Sequence, residues 1–212
     1  MRVVPSLVVS SMISKGPFLI YYGQELGVKG DENEGFAGDN DRTTIFDYWS
    51  IDSLRRWING GNWGDKLLTP HERFLRSLYK KVLTLCNTRE AISQGAFFDL
   101  MYVNLRQPGF NPHRHFAFLR YTKDDILLIV VNFSNESSTI HINVPSIAFS
   151  MAKLPTGTLT TTDLLWDKPY KLSLAPDHVT TVFVGSADAV ILPLGKSIKK
   201  PNFAPGNPRQ KD

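Results

Sequence analysis

The chain has 212 residues, 42% hydrophobic and 11% aromatic. A chain of that length hides about 70% of the surface its unfolded form exposes, so a real core is expected, in one large domain or two small ones. The formal charge of +4 is concentrated at the end, where Lys196, Lys199, Lys200, Arg209 and Lys211 face only Asp212; the near-neutral body excludes a dedicated nucleic-acid surface, and a single cysteine, Cys86, excludes an internal disulfide and Cys-rich metal centres.

Met1-Arg2 followed by Val3, Val4, Leu7, Val8 and Val9 imitates the start of a signal peptide. Pro5 and the interleaved serines dilute that run and no small-x-small cleavage site follows, so residues 3–14 are read as a helix, with Val4, Val8 and Met12 at four-residue spacing. Gly16-Pro17 stops it. Phe18-Leu19-Ile20-Tyr21-Tyr22 is then predicted as a strand apolar on both faces, the kind found inside a helix-covered parallel sheet. It ends in the polar Gly23-Gln24-Glu25, at the end of a strand that faces the active site in an α/β barrel.

Residues 26 to about 68 are rich in Gly, Asp and Asn yet carry Phe36, Phe46, Tyr48, Trp49, Trp57 and Trp63. Disordered linkers are poor in aromatics, so an ordered functional loop is expected, with a short helix near Ser53–Ile58. Thr69-Pro70-His71-Glu72 predicts a helix start: Thr69 as cap, Pro70 at the first helical position and Glu72 closing a capping box. Phe74, Leu78, Val82 and Leu85 form the apolar stripe, flanked by Leu75 and Cys86.

After Gly95 the period changes to that of strands. Runs at Phe97–Val103, His115–Tyr121, Ile126–Phe133, Thr139–Val144, Thr161–Trp166, Tyr170–Leu174 and Val179–Val184, separated by turn residues, predict an antiparallel β-sandwich. Residues 126–131 are apolar throughout, which places that strand centrally. The organisation expected is therefore 1–95, 96–185 as the sandwich, and a basic, proline-containing tail at 186–212. No segment is apolar enough to cross a membrane. The first 95 residues contain one parallel-type strand and no partner for it, and buried strands do not leave backbone groups unsatisfied. Hence the expectation that the chain is a fragment, or that Phe18–Tyr22 pairs with another chain.

Lys15-Gly16-Pro17-Phe18-Leu19-Ile20-Tyr21-Tyr22-Gly23-Gln24-Glu25-Leu26-Gly27 resembles the eighth barrel strand of the α-amylase family, glycoside hydrolase family 13. Gly38-Asp39-Asn40-Asp41-Arg42-Thr43-Thr44-Ile45-Phe46-Asp47-Tyr48-Trp49 resembles the loop after it, residues 69–88 with Thr88-Arg89-Glu90 the last barrel helix, and 96–184 the C-terminal β domain. The resemblance implies the last β/α unit of an incomplete (β/α)8 TIM barrel followed by an antiparallel β-sandwich, in a parent enzyme that acts on α-linked glucans such as starch and maltooligosaccharides. The family's retaining chemistry needs two carboxylates across the glycosidic bond, helped by a third acidic group. Their motifs, on barrel strands four, five and seven, are absent here, so no catalytic residue carries over and the isolated chain is expected to be inactive.

The resemblance offers Asp41 and Arg42 as sugar-holding residues of the loop, a carboxylate accepting and a guanidinium donating hydrogen bonds to hydroxyls; an Asp–Arg pair that merely shapes the turn, or a solvated acidic loop, reads the same residues equally well. Gln24 and Glu25 are expected at the active-site face in a structural hydrogen-bonding role. No cofactor and no metal are expected: His113 and His115 lack a supporting ligand set, Asp124-Asp125 suits a hairpin turn, and Trp166 suits a core anchor, whereas Trp63 could also stack on a sugar. The partners implied are α-glucan oligosaccharides through the parent enzyme and the missing N-terminal barrel portion; nucleic acid and membrane are not expected. Self-association through Phe18–Tyr22 is the further expectation. A non-catalytic sugar-binding β module, and a subunit completing a barrel supplied by another polypeptide, are the rival readings; neither compartment nor linkage preference is legible.

Overall fold

The computed structural model describes residues 2–28 and 51–195. Its centre is a four-stranded antiparallel sheet of β1 (Ala96–Asp99), β2 (His115–Tyr121), β3 (Ile126–Asn132) and β8 (Asp188–Pro193), in the order β1-β2-β3-β8. One face packs against two antiparallel pairs: β4 (Ser138–Val144) with β7 (His178–Val184), and β5 (Gly157–Thr162) with β6 (Pro169–Leu174). The other face is covered by α1 (Val3–Met12) and α3 (Pro70–Thr88).

Strand alternation explains why β3 is apolar at every position before Asn132. Leu128 and Val130 join a core with Ile140, Ile142, Val182 and Val184 of the opposing strands. Leu127, Ile129 and Val131 point the other way, into a second core with Val4, Leu7, Val8 and Met12 of α1 and Leu78, Tyr79 and Val82 of α3. The central placement expected for this strand holds. Both covers are needed, because a sheet buries its two faces separately.

The helices form for local reasons and are held by this packing. In α3 the Thr69 hydroxyl accepts from the Glu72 N–H and the Glu72 carboxylate accepts from the Thr69 N–H at 2.7 Å, the capping box expected. Leu78 and Val82 of the expected stripe are buried and Leu85 packs against the same core, joined by Leu75 and Tyr79, whereas Phe74 is 44% exposed. In α1 four valines lower intrinsic helicity, so its stability comes from the sheet beneath it. The short helix expected near Ser53–Ile58 is α2 (Asp52–Ile58).

Several expectations are corrected. Phe18–Tyr22 forms no strand; residues 18–21 carry no regular secondary structure, and Leu19 and Tyr21 are 85% and 50% exposed. The β part of the expected barrel unit is thus not formed among the described residues. The run Phe97–Val103 ends as a strand at Asp99, whose carboxylate accepts from the Met101 N–H at 2.7 Å and turns the chain into α5 (Met101–Asn104). The run Thr161–Trp166 breaks likewise at Asp163, which accepts from the N–H groups of Leu165 and Trp166. Ser146–Ala152, read as inter-strand material, is a helix, α6.

The tail does not begin at 186: β8 follows and completes the central sheet against β3. The division at 95 is not a structural boundary either, since α1 and α3 share a core with Phe118, Ile129 and Ile191. Exposed strand edges invite association between chains, and two edges here are occupied internally. Asn104 bonds both the N–H and the carbonyl of Asn143 on β4, at 2.8 and 3.0 Å. On β8, Ile191 donates to Asp163 and accepts from the Leu164 N–H at 2.9 Å.

A groove beside Gln24 and Glu25

After α1 the chain crosses the top of α3 and turns sharply. Gly23 and Gly27 both adopt left-handed φ values of 71° around a 3-10 turn, Gln24–Leu26. Neither position accepts a side chain: a Cβ on Gly23 would stand 2.4 Å from Val28, and one on Gly27 2.6 Å from Leu75. Between them Leu26 is buried with Leu54 of α2 and with Leu68, so the turn, α2 and the approach to α3 share one small apolar cluster.

The turn forms one wall of an open groove of about 550 Å³, with Trp57 of α2 and Arg76, Tyr79 and Lys80 of α3 on the other. The Gln24 side-chain oxygen accepts from the Tyr21 N–H at 3.1 Å, and Gln24 also hydrogen-bonds the Tyr79 side chain. Burial pushes the Tyr79 hydroxyl above its ordinary pKa; the Gln24 bond opposes that shift and the negative charge of Glu25 adds to it. Glu25, half-buried, is the one carboxylate among the described residues lining the groove. The Arg76 guanidinium sits 3.7 Å from the centre of the Trp57 ring and covers that face, a cation–π contact that fixes the groove's far wall.

Glu72 ties this region to α2. Besides closing the capping box, it pairs with Arg56, whose Nε lies 3.0 Å from its carboxylate. The Arg56 hydrogen bond holds the Glu72 carboxyl below its ordinary pKa, against a smaller opposing push from burial.

Asp41 and Arg42, the sugar-holding pair offered by the resemblance, lie outside the described residues. Of the other two predicted residues, Glu25 lines the groove, whereas Gln24 is exposed beside it and reaches it only through its hydrogen bond to Tyr79. The arrangement can bind a polar ligand through Glu25, Lys80 and Arg76. Among the described residues its lining holds one carboxylate, Glu25, where glycoside hydrolysis requires a facing pair.

No protein-family model matches the chain, and no curated protein matches it. Solved structures do. A maltogenic α-amylase, AmyB from Thermotoga neapolitana, superposes with a TM-score of 0.58 at 14% identity, over 92% of this chain and 37% of that enzyme. The chain shares its fold with α-amylases. An AmyP variant in complex with maltotriose matches at TM-score 0.55 and 21% identity, over 90% of this chain and 34% of the other. A debranching enzyme from Nostoc punctiforme matches at 0.51 and 18%, over 89% and 30%. The chain therefore spans about a third of the length of the α-amylase-fold enzymes it matches, which is the extent expected of the C-terminal part it resembles.

Sequence reasoning missed the residues that lock the helices to the α-amylase-type sheet. Arg120 is 1% exposed and has no carboxylate partner among the described residues; it donates to the carbonyls of Ala91 (3.1 Å), Ile92 and Ile13. Burial lowers its pKa from the usual guanidinium value. A cation on these carbonyls complements the C-terminal ends of α1 and of α4 (Glu90–Ser93). Asp125, read as a turn residue, does sit in the β2–β3 turn but is buried: it pairs with Arg89 and accepts from the Ala91 N–H at 3.1 Å. An arginine in the middle of an apolar strand was the available signal for the first, and none marked the second.

The tempting aromatics separate. Trp166 is half-buried, donates to Asp188 at 2.8 Å and stacks on Phe74, the anchor expected; Trp63 is 62% exposed. Among the described residues no cluster of His, Cys, Asp and Glu is set to hold a metal, and no helix is long and apolar enough to cross a membrane.

Proposed function

We propose that the chain supplies the C-terminal part of a glycoside hydrolase acting on α-linked glucans, with the reacting carboxylates on a separate, N-terminal barrel portion. The observation that carries this reading is the fold shared with α-amylases over about nine-tenths of this chain and about one-third of theirs. The exposed Leu19 and Tyr21 support it: a segment this apolar, seated between two packed helices, is suited to dock against further strands. In this arrangement residues 18–22 take the last strand position of the barrel. The loop through Asp41 and Arg42 contributes sugar contacts, and the β unit buttresses α3 from behind.

The test compares reducing-sugar release from starch by the chain alone with release by a product extended through the coding sequence upstream of Met1. The expected result is activity in the extended product only, lost when its paired carboxylates are substituted. Turnover by the purified chain alone, abolished by substituting one of its own acidic residues, would overturn the reading.

A further inference from the structure

A second hollow, of about 360 Å³, shares no residue with the groove beside Glu25. It lies between the turn that precedes β2 and the connection from β3 to β4, and its polar lining includes Asn111, Arg114, His115, Ser134 and Glu136. That volume is within the range of small-ligand sites.

Its floor is a histidine held in one tautomer. His115 is 7% exposed and wedged by Phe110, whose ring meets it edge-on at 5.5 Å. The Nδ1 atom accepts from the Asn111 backbone N–H at 3.0 Å. A ring nitrogen that accepts carries no proton, so the proton of the neutral ring resides on Nε2. Burial lowers the pKa of this ring, which keeps it neutral. Among the described residues nothing accepts from Nε2, and that atom is not sealed from solvent. A donor that reaches the hollow's solvent in this way can exchange water for the hydroxyl of a ligand.

The walls are fixed before any ligand arrives. Asn132, fully buried, donates to the carbonyls of Glu136 and Gly185 at 2.8 Å each and accepts from the Ser134 N–H. Arg114 and Glu136 are exposed at the rim, and neither forms an ion pair among the described residues. Their charges cancel, so an anion drawn to Arg114 meets Glu136. A neutral ligand bearing several hydroxyls suits both at once, each hydroxyl being donor and acceptor together.

We propose that this hollow binds a neutral sugar unit, with the Nε2–H of His115 as a fixed donor and Arg114 and Glu136 gripping adjacent hydroxyls. The site stands on its own residues, whether or not the chain serves an α-glucan hydrolase. The experiment is a titration of the whole chain, isotope-labelled, with maltotriose, cellobiose and inorganic phosphate, following the His115 ring nitrogens by NMR. At least one sugar is expected to move the Nε2 resonance saturably while phosphate does not. Arg114→Ala and Glu136→Gln, both at exposed positions, should each weaken that binding about tenfold, and Lys123→Ala, exposed and outside both hollows, should leave it unchanged. A ring unmoved by either sugar, saturable binding of phosphate alone, or sugar binding indifferent to both rim substitutions would overturn the assignment.

Discussion

The β-rich part of the chain and the part that precedes it solve the same burial problem to different degrees. From β1 to β8 nearly every apolar run finds a cover: β3 is enclosed on both faces, and the edges of β4 and β8 are occupied by Asn104 and by Asp163 with Leu164. Before β1, α1 and α3 bury one stripe each, yet Leu19 and Tyr21 between them stay largely exposed. Covering a large apolar side chain contributes about 1.5–3 kcal/mol, so exposure of this kind marks a surface that further polypeptide can use. A finished core and an open one coexist in a single packed body, because the helices belong to both.

That sharing can be broken most forcefully by excision. A chain reduced to residues 96–195 loses the cover over Phe118, Leu127, Ile129, Val131 and Ile191. It should aggregate or bind a hydrophobic dye strongly. A soluble excised unit with native-like hydrogen exchange would show that the helices are an accessory.

Arg120→Leu should come next, destabilising by about 3 kcal/mol, since three carbonyls lose their donor together. Urea unfolding followed by both tryptophan fluorescence and circular dichroism gives the size. Coincident transitions would confirm that the two regions unfold as one, whereas two separated transitions would divide them.

A smaller effect is expected for Glu72→Gln, about 1–2 kcal/mol at neutral pH, through the capping box and the Arg56 pair. The Glu72 carboxyl is held below its ordinary value, so the folded state binds its proton less readily than the unfolded chain does. The stabilisation is therefore complete above the unfolded value, about 4.3, and fades as pH falls through the lower, folded one. The parent and the variant should converge in stability in acid; a constant gap down to low pH would assign the effect to packing.

The least effect on stability belongs to Leu19→Lys, within about 0.5 kcal/mol at so exposed a position. Its readout is association: light scattering over a concentration series should fall to monomer values if residues 18–22 mediate contact. Leu19 is more informative than Ile20, which is half-buried and packs against the helix-side core.

Much of the sandwich was legible because short β-rich runs between turn residues mark strands directly. His115–Tyr121 and the central placement of β3 needed no tertiary information. The two strands that broke early share a cause: Asp99 and Asp163 sit within apolar runs, and each bonds the backbone just after it, which competes with the ladder. Reading those aspartates as turns would have shortened both strands. At the groove, the turn residues Gly23 to Glu25 were identifiable, whereas Arg76 over Trp57 joins residues 19 apart in sequence and has no local signature.

By itself the sequence determined the local choices: where α3 starts, where β2 and β3 run, and that no disulfide or paired-carboxylate motif is present. Those follow from backbone geometry and side-chain chemistry within a few residues. Tertiary structure alone decided that β8 completes the sheet and that Arg120 clasps two helix ends. It also decided that Phe18–Tyr22 forms no strand. A strand exists only with a neighbour to accept its hydrogen bonds, and a buried arginine only where carbonyls from distant segments converge.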